Sequence, residues 1–567
     1  MKTAWILALA ASCSSTAFAA GEADPIAPKF ERRWVWVMCN LQVAKEADRV
    51  VALVERAAAA GYNGVVISDY KLNFLDRVPR HYFANAERVI AAAERTGVEL
   101  IPAVFPIGYA NGLLSNDVDL AEGLPVVDAP FVVDGREADL ETPDRPLLRN
   151  GTMEEALADR LLGFNHQDEP GKCSVVDRTV AHDGIASVRF ERLSETPNAR
   201  LIQTVAVRPR SAYRLSAFVK TQDLRPTGGF NLMAIGKDGR RLTFHEGGIE
   251  PTGDWKEIEV VFNSLENSQV NIYVGMWGGR EGRLWVDGLE LRPLGLVNVL
   301  RREGCPLTVK SAVDGTTYRE GEDFEPVRDP LLGRVPYEGE YEFRHAAPRI
   351  RLTEKSRIRD RERLLVGWYH PVPVHGSVVM CCLTDPKVDL LLRRQAESVA
   401  KLFRPKTFFM QHDEMRVAGW CASCKGSGKT PGELLAANAR RCRQILREVA
   451  PQARVVVWSD MFDPNHNAID NYYLVDGSLA GSWEGLDRDV VIAAWNSGKA
   501  AKSLRFFADR GHEQIIAGYY DSDDNLSTWL RGAEGIERVN GFMYTTWSSR
   551  FDDLERYGRA IAAPKAP

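Results

Sequence analysis

Apolar residues recur along this chain in two different rhythms. The first begins with a short continuous run, Trp34–Met38, followed by helical spacing through 43–60 (Ala44, Val50, Val51, Leu53, Val54) and a stop at Gly61. A second run, Gly64–Ile67, leads to Ser68-Asp69-Tyr70; a helical stretch follows over Ala84–Thr96, and Glu99–Phe105 is a third run. Continuously apolar strands separated by amphipathic helices predict a parallel sheet covered on both faces.

From about residue 160 the rhythm changes. Short alternating segments with turn residues between them (Ser187–Phe190, Leu201–Val207, Tyr213–Lys220, Phe230–Ile235, Trp255–Phe262, Val270–Met276, Leu284–Leu291) carry no helical spacing. That pattern predicts a β-sandwich. A β-rich, turn-rich stretch continues to about residue 350. The strand–helix rhythm then resumes, with strands expected at 407–412, Arg454–Trp458, Val490–Trp495, Gln514–Tyr519 and Gly541–Trp547, and helices at Val388–Phe403, 431–449, 499–509 and 526–533. Leu364–Tyr369 is assigned to the long third loop, which leaves eight barrel strands.

The expected fold class is therefore α/β: a (β/α)8 TIM barrel with a β-sandwich (jelly roll) inserted after barrel strand three. The expected boundaries are a signal peptide at 1–20, a first barrel part at 28–160, the inserted sandwich at 161–296, a β-rich extension at 297–360 and a second barrel part at 361–560.

Polar and aromatic residues gather where these strands end. Strand two gives Asp69 and Tyr70. Strand four gives His412, Asp413 and Glu414, within Lys406–Arg416 (KTFFMQHDEMR). Strands five and six give Trp458, Asp460, Trp495 and Asn496; strands seven and eight give Tyr519, Tyr520, Asp521, Trp547 and Arg550. Strand ends of a parallel barrel converge on one pocket, and adjacent carboxylates there suit acid–base work. Taken alone, Asp413-Glu414 also fits a helix N-terminus, and the aromatics also fit a barrel-top core. Asp69-Tyr70-Lys71 fits sugar hydroxyls and a structural ion pair equally well.

Composition narrows the function. With 72 basic against 77 acidic residues and no basic tract interleaved with aromatics, nucleic acid is not an expected partner. The N-terminus MKTAWILALAASCSSTAFAA has a basic start, a short apolar stretch at Ala4–Ala11 and a small-residue site at Ala17-Phe18-Ala19. It reads as a secretory signal and is too short for a membrane span. The expected location is periplasmic or extracellular; lipoprotein anchoring at Cys13 is the alternative, and no transmembrane segment is expected. Cys421-Ala-Ser-Cys424 is a lone C-x-x-C to which Cys381-Cys382 offers a second pair; a local disulfide or free thiols is the simpler reading. No cofactor or metal is expected. For His412 the readings are a histidine tuning the acids, a packed histidine, or part of a metal set with His370, His375 and the cysteines; no helical ligand pair such as H-x-x-x-H supports the last.

The run from RLIQTVAVRPRSAYRLSAFVKTQDL to LWVDGLELRPL resembles jelly-roll carbohydrate-binding modules of families 4 and 9. The barrel portions, 30–110 and 400–560, resemble glycoside hydrolase family 20, the β-N-acetylhexosaminidases, and more loosely family 123. The resemblance rests on Asp413-Glu414 at strand four, Trp495 at strand six, Tyr519-Tyr520-Asp521 after strand seven and Trp547 on strand eight. Phe409-Met410-Gln411-His412 stands where the family usually shows His-x-Gly-Gly, and Ser548-Ser549 where a Glu usually follows the strand-eight Trp.

The resemblance implies an exported hydrolase of 2-acetamido-sugar glycans. Glu414 would be general acid and Asp413 would orient a substrate acetamido group that attacks the anomeric carbon. Tyr519 would hold the acetamido oxygen, and Trp495 and Trp547 would wall the pocket. The substrate-binding set is Asp69, His412, Trp458, Trp495, Tyr519, Asp521 and Trp547. Adjacency of the acids independently favours substrate assistance, because double displacement needs carboxylates about 5 Å apart on opposite sides of the sugar. The expected partner is a glycan or oligosaccharide. The rivals are a glycosidase of another sugar specificity and a non-catalytic carbohydrate-binding protein.

Overall fold

Trp34 and Trp36 alternate inward from a parallel strand, Arg32–Cys39, in the computed structural model, which describes residues 30–562 except 245–247, 280 and 523–524. This strand is the first of eight that close into a parallel barrel. The others are Gly64–Asp69, Glu99–Val104, Thr407–Met410, Arg454–Trp458, Val491–Ala494, Gln514–Ala517 and Val539–Tyr544. The first strand closes the ring by pairing with the eighth, Arg32 opposite Gly541, and with the second, Trp34 opposite Gly64. Inward-facing Trp34, Trp36, Val66, Ile101, Ala103, Phe409, Val456 and Trp458, with residues of the last three strands, fill the interior as a separate apolar cluster. Outward-facing Val35, Val37, Val65 and Ile67 join the main core, covered by helices such as Ala44–Ala59. That helix buries Ala47, Val50, Leu53, Val54 and Ala57, one stripe at helical spacing. Helix Pro431–Val449 starts with a capping box between Thr430 and Glu433, and Asp385 caps Pro386–Phe403.

Between the third and fourth barrel strands the chain builds three larger antiparallel sheets and a two-stranded one, Ala156–Leu157 with Arg160–Leu161. Sheets of five and four strands, from His166–Gln167 to Glu281–Pro293, form the sandwich. A six-stranded sheet joins Leu124–Asp134 and Glu137–Leu140 to Thr308–Ser311, Thr317–Tyr318, Ile350–Arg351 and Arg363–His370. Leu364–Tyr369 therefore lies in this sheet, Leu364 opposite Phe131. The sheet also takes Leu124–Leu140 from the segment expected to be barrel, because its alternating positions pair antiparallel with the extension.

The expected (β/α)8 TIM barrel is corrected. The eight parallel strands close a ring, but many strands lie in antiparallel sheets and helix is only 24% of the structure. The fifth-to-sixth barrel connection contains only 3-10 turns, Asp460–Phe462 and Ser482–Gly485, and a short strand, Leu474–Val475. Its sequence, DPNHNAIDNYYLVDGSLAG, is dense in Asp, Asn and Gly, which favour turns over helix. The expected signal peptide and Cys13 lie outside the described residues, and no described helix is long and apolar enough to cross a membrane.

Candidate functional site

The carboxyl ends of all eight barrel strands open into one cavity of about 700 Å³. Trp36, Ala103 and Trp458 form its floor, and Trp495, Tyr520 and Trp547 stand along its wall. The rings brace one another. Trp458 lies 5.2 Å from Trp36 and 4.8 Å from Phe409, while Tyr520 stacks nearly parallel on Trp495 at 5.4 Å. Such faces suit the apolar side of a sugar ring.

The acids enter from the fourth strand. Gln411 still pairs with the third strand, its N–H donating to the Val104 carbonyl at 2.9 Å. The chain then turns through left-handed conformations at His412 (φ 65°) and Glu414 (φ 44°). Strand alternation stops there, so Asp413 and Glu414 both line the cavity. Gly108, in the loop after strand three, makes room for the turn: a Cβ there would lie 1.8 Å from the Asp413 carbonyl oxygen.

Glu414 Oε2 meets the Arg416 guanidinium at 2.5 Å and accepts from the Tyr109 hydroxyl, which also accepts from Arg416 at 3.2 Å. The Glu414 backbone N–H donates to Asp460 Oδ2 at 2.9 Å. Asn467 donates to the same oxygen at 2.9 Å, and the Trp495 indole N–H to Asp460 Oδ1 at 3.2 Å. Asp413 Oδ1 meets no hydrogen-bond partner among the described residues. Burial, with the carboxyls of Asp460 and Glu414 alongside, pushes Asp413 well above the ordinary carboxylate range. Burial also raises Asp460, to about 6. Three acids thus crowd one buried cation: Glu414 pairs with Arg416, and Asp413 is driven towards keeping its proton.

The other expected residues divide. Trp458, Trp495 and Trp547 line the cavity. Asp69 also borders it, but its oxygens already accept from the Leu41 and Lys71 N–H groups and the Tyr82 hydroxyl. His412 turns away from the acids into the core, Nε2 against Asn438 Oδ1 at 3.0 Å, and burial lowers its pKa to about 4. It is a packed neutral histidine. Tyr519 is buried and stacks on Tyr544 at 4.3 Å, leaving Tyr520 as the strand-seven phenol in the cavity. Asp521 accepts from the Thr546 and Ser548 hydroxyls and the Trp547 N–H, holding the strand-eight turn. For His412, Tyr519 and Asp521 the sequence-based substrate contacts are thus corrected, because His412 packs on Asn438, Tyr519 stacks in the core and Asp521 is filled by the strand-eight turn. His370 pairs with Asn263 and the Pro371 carbonyl.

Trp36, Tyr109 and Arg416 carry no site reading in the sequence, Tyr520 is read there only as a strand-seven end residue, and His375 only as part of a possible metal set. Arg416 closes the Lys406–Arg416 segment itself, whereas Tyr109 and His375 sit in long loops without periodicity.

The sequence matches no protein-family model and no curated protein. Among solved structures, the carbohydrate-binding module TmCBM61 in complex with β-1,4-galactotriose is similar at 21% identity, covering 26% of this chain and 98% of its own, with a TM-score of 0.20. A structure described as CBM4 is similar at 16% identity, covering 26% of this chain and 99% of its own, with a TM-score of 0.20. A cyclase from Fischerella sp. TAU is similar at 15% identity, covering 26% and 94%, with a TM-score of 0.22. These likenesses to carbohydrate-binding modules and a cyclase are partial, and they speak for neither a ligand nor an activity of this chain. Nothing in them supports the family 20 resemblance.

Proposed function

We propose that this chain is an exported glycoside hydrolase acting on 2-acetamido-sugar glycans by substrate assistance. One observation carries the reading: Asp413 and Glu414 lie adjacent on one wall of an aromatic cavity, where Asp413 Oδ1 has no partner among the described residues and Glu414 meets Arg416 and Tyr109 through Oε2. Among the described residues the other carboxylate bordering the cavity, Asp69, is held by three protein donors, which favours a nucleophile carried by the substrate. Asp413, holding the proton, gives it to the glycosidic oxygen as the C1–O bond breaks. Glu414, paired with Arg416, accepts the acetamido N–H while the acetamido oxygen bonds to C1. Asp413 then takes a proton from the water that opens the resulting ring.

The family resemblance favours the opposite division, with Glu414 as acid, and leaving groups distinguish the two. Removing the acid spares aryl substrates with strongly acidic phenols and suppresses those with poor leaving groups. Asp413→Asn is expected to show that split on aryl N-acetyl-β-glucosaminides and galactosaminides, and Glu414→Gln to lose rate on both kinds. The reverse pattern returns the acid role to Glu414. A thiazoline mimic of the cyclised intermediate should inhibit. Glycan binding without hydrolysis of any such substrate would replace the hydrolase by a carbohydrate-binding protein.

A further inference from the structure

Outside the cavity lining, four buried ligand atoms face one another: a carboxylate oxygen of Glu122 and the sulfurs of Cys382, Cys421 and Cys424, all within 4.8 Å. They come from three distant parts of the chain. Glu122 and Cys382 are set by an antiparallel bridge between Ala121 and Cys381, with the Cys382 N–H donating to the Leu120 carbonyl at 2.9 Å. Cys421 and Cys424 lie on the turn into the short helix Ala422–Gly426, just after the Asp413–Arg416 segment.

The geometry suits an ion. Cys382 Sγ lies 3.6 Å from Cys421 Sγ and 3.9 Å from Cys424 Sγ. A tetrahedral ion with metal–sulfur bonds of about 2.3 Å separates its sulfurs by about 3.8 Å. A disulfide needs about 2.05 Å, and all eight described cysteines are free thiols. Glu122 is pre-oriented: Oε1 accepts from the Trp420 N–H at 2.7 Å and the Cys421 N–H at 3.0 Å, leaving Oε2 towards the sulfurs, 3.8 Å from Cys424 Sγ. The Thr384 N–H points at Cys382 Sγ at 3.5 Å, the kind of outer contact that steadies a metal-bound thiolate. The Arg302 guanidinium sits beside the group, close enough for Cys382, Cys305, Cys421 and Glu122 to favour its charge. Three thiolates and a carboxylate carry four negative charges; a divalent ion and Arg302 return three. Without an ion, a carboxylate 2% exposed among thiols is costly.

We propose that Glu122, Cys382, Cys421 and Cys424 form a closed structural site for one zinc ion. Sulfur-rich and with four protein ligands, the set suits zinc in a structural role. Binding releases the thiol protons and clamps the loop that carries Asp413, Glu414 and Arg416 to the third-strand loop.

The test uses the full chain, loaded with Zn²⁺ or Co²⁺ under reducing conditions and freed of excess metal. One zinc per chain is expected by mass spectrometry of the metal. The Co²⁺ form should show thiolate-to-cobalt charge transfer and the strong visible bands of a tetrahedral site. Cys424→Ser and Glu122→Gln should weaken zinc binding by more than the roughly 10–100-fold that outer-shell changes cost, whereas Cys173→Ser, in the sandwich, should retain it. If the variants do not fold, the wild-type chain still decides: three thiols should become reactive only when zinc is chelated. Substoichiometric zinc after loading, an octahedral cobalt spectrum, or a disulfide between any two of the three cysteines in the exported protein overturns the proposal.

Discussion

Asp460→Asn tests whether the acid cluster beneath the cavity is held at an energetic cost. Asp460 is fully buried and its carboxyl is raised by burial from an ordinary 3.8 to about 6. Below pH 3.8 the folded and unfolded chains both hold this proton. As pH rises towards 6 the unfolded chain releases it first, so the native state loses stability through that window and keeps the deficit above it. At about 1.4 kcal/mol per tenfold change in proton affinity, the deficit is about 3 kcal/mol. Asparagine removes it. It also presents an amide to a donor that the carboxylate had accepted, such as the Trp495 indole N–H. That mismatch costs about 1–3 kcal/mol, but equally at every pH. The slope against pH therefore isolates the titration. With about 2.1 cal/mol/K of unfolding entropy per residue, 567 residues correspond to about 1.2 kcal/mol/K, and 3 kcal/mol to a Tm change of about 2–3 °C in a concerted transition. Scanning fluorimetry from pH 4 to pH 7 should show Tm of the variant rising by that amount relative to wild type. Parallel curves, or a relative gain by wild type as pH rises, would refute the burial argument.

Other substitutions probe the same wall. Arg416→Met leaves Glu414 without its cation and should destabilise by about 3–5 kcal/mol in chemical denaturation; a change below 1 kcal/mol would show the pair to be dispensable. Gly108→Ala brings a methyl into the Asp413 carbonyl and should lower kcat by about tenfold or more at a stability cost of about 1–3 kcal/mol; unchanged kcat would place the kink outside the chemistry. Trp495→Ala should raise KM on aryl N-acetylglucosaminides by about 30–100-fold through lost ring contact. Tyr519→Phe should leave kcat and KM within about threefold, because the ring stays in the core; a larger fall would restore the substrate contact expected from the sequence. Chelating zinc from the loaded chain should lower Tm by about 3 °C, from about 4 kcal/mol at free zinc a thousandfold above Kd, while a chain never loaded shows no shift.

What the sequence disclosed, and what it hid, follow one physical rule. Alternation and helical spacing identify residues that are buried inside regular elements, so Trp34–Met38, Arg454–Trp458 and the sandwich strands are readable without coordinates. Alternation fails where a strand ends. Phe105, His412, Glu414, Tyr520, Asp521 and Ser549 all have positive φ just beyond barrel strands three, four, seven and eight. Each such non-glycine residue costs on the order of 1 kcal/mol. Alternation from inward Phe409 still turns His412 out and Asp413 in; it is Glu414, itself left-handed and next to Asp413, that breaks the pattern by also lining the cavity, as Tyr520 does in place of Tyr519. The cost is offset locally: the Glu414 N–H reaches Asp460, and the Trp547 N–H reaches Asp521. Those two aspartates therefore serve the site as turn-holders, though by residue type they resemble catalytic groups. Partners separated by hundreds of residues leave still less trace. Glu122 lies far from Cys421 with the whole sandwich between them, so only the fold could place a carboxylate against Cys421 and Cys424 and choose Cys382 over Cys381 as the third sulfur. The same long connection that broke the regular strand–helix repeat thus supplies Tyr109, His375, Glu122 and Cys382, and the loop irregularities are where the chemistry of this barrel is concentrated.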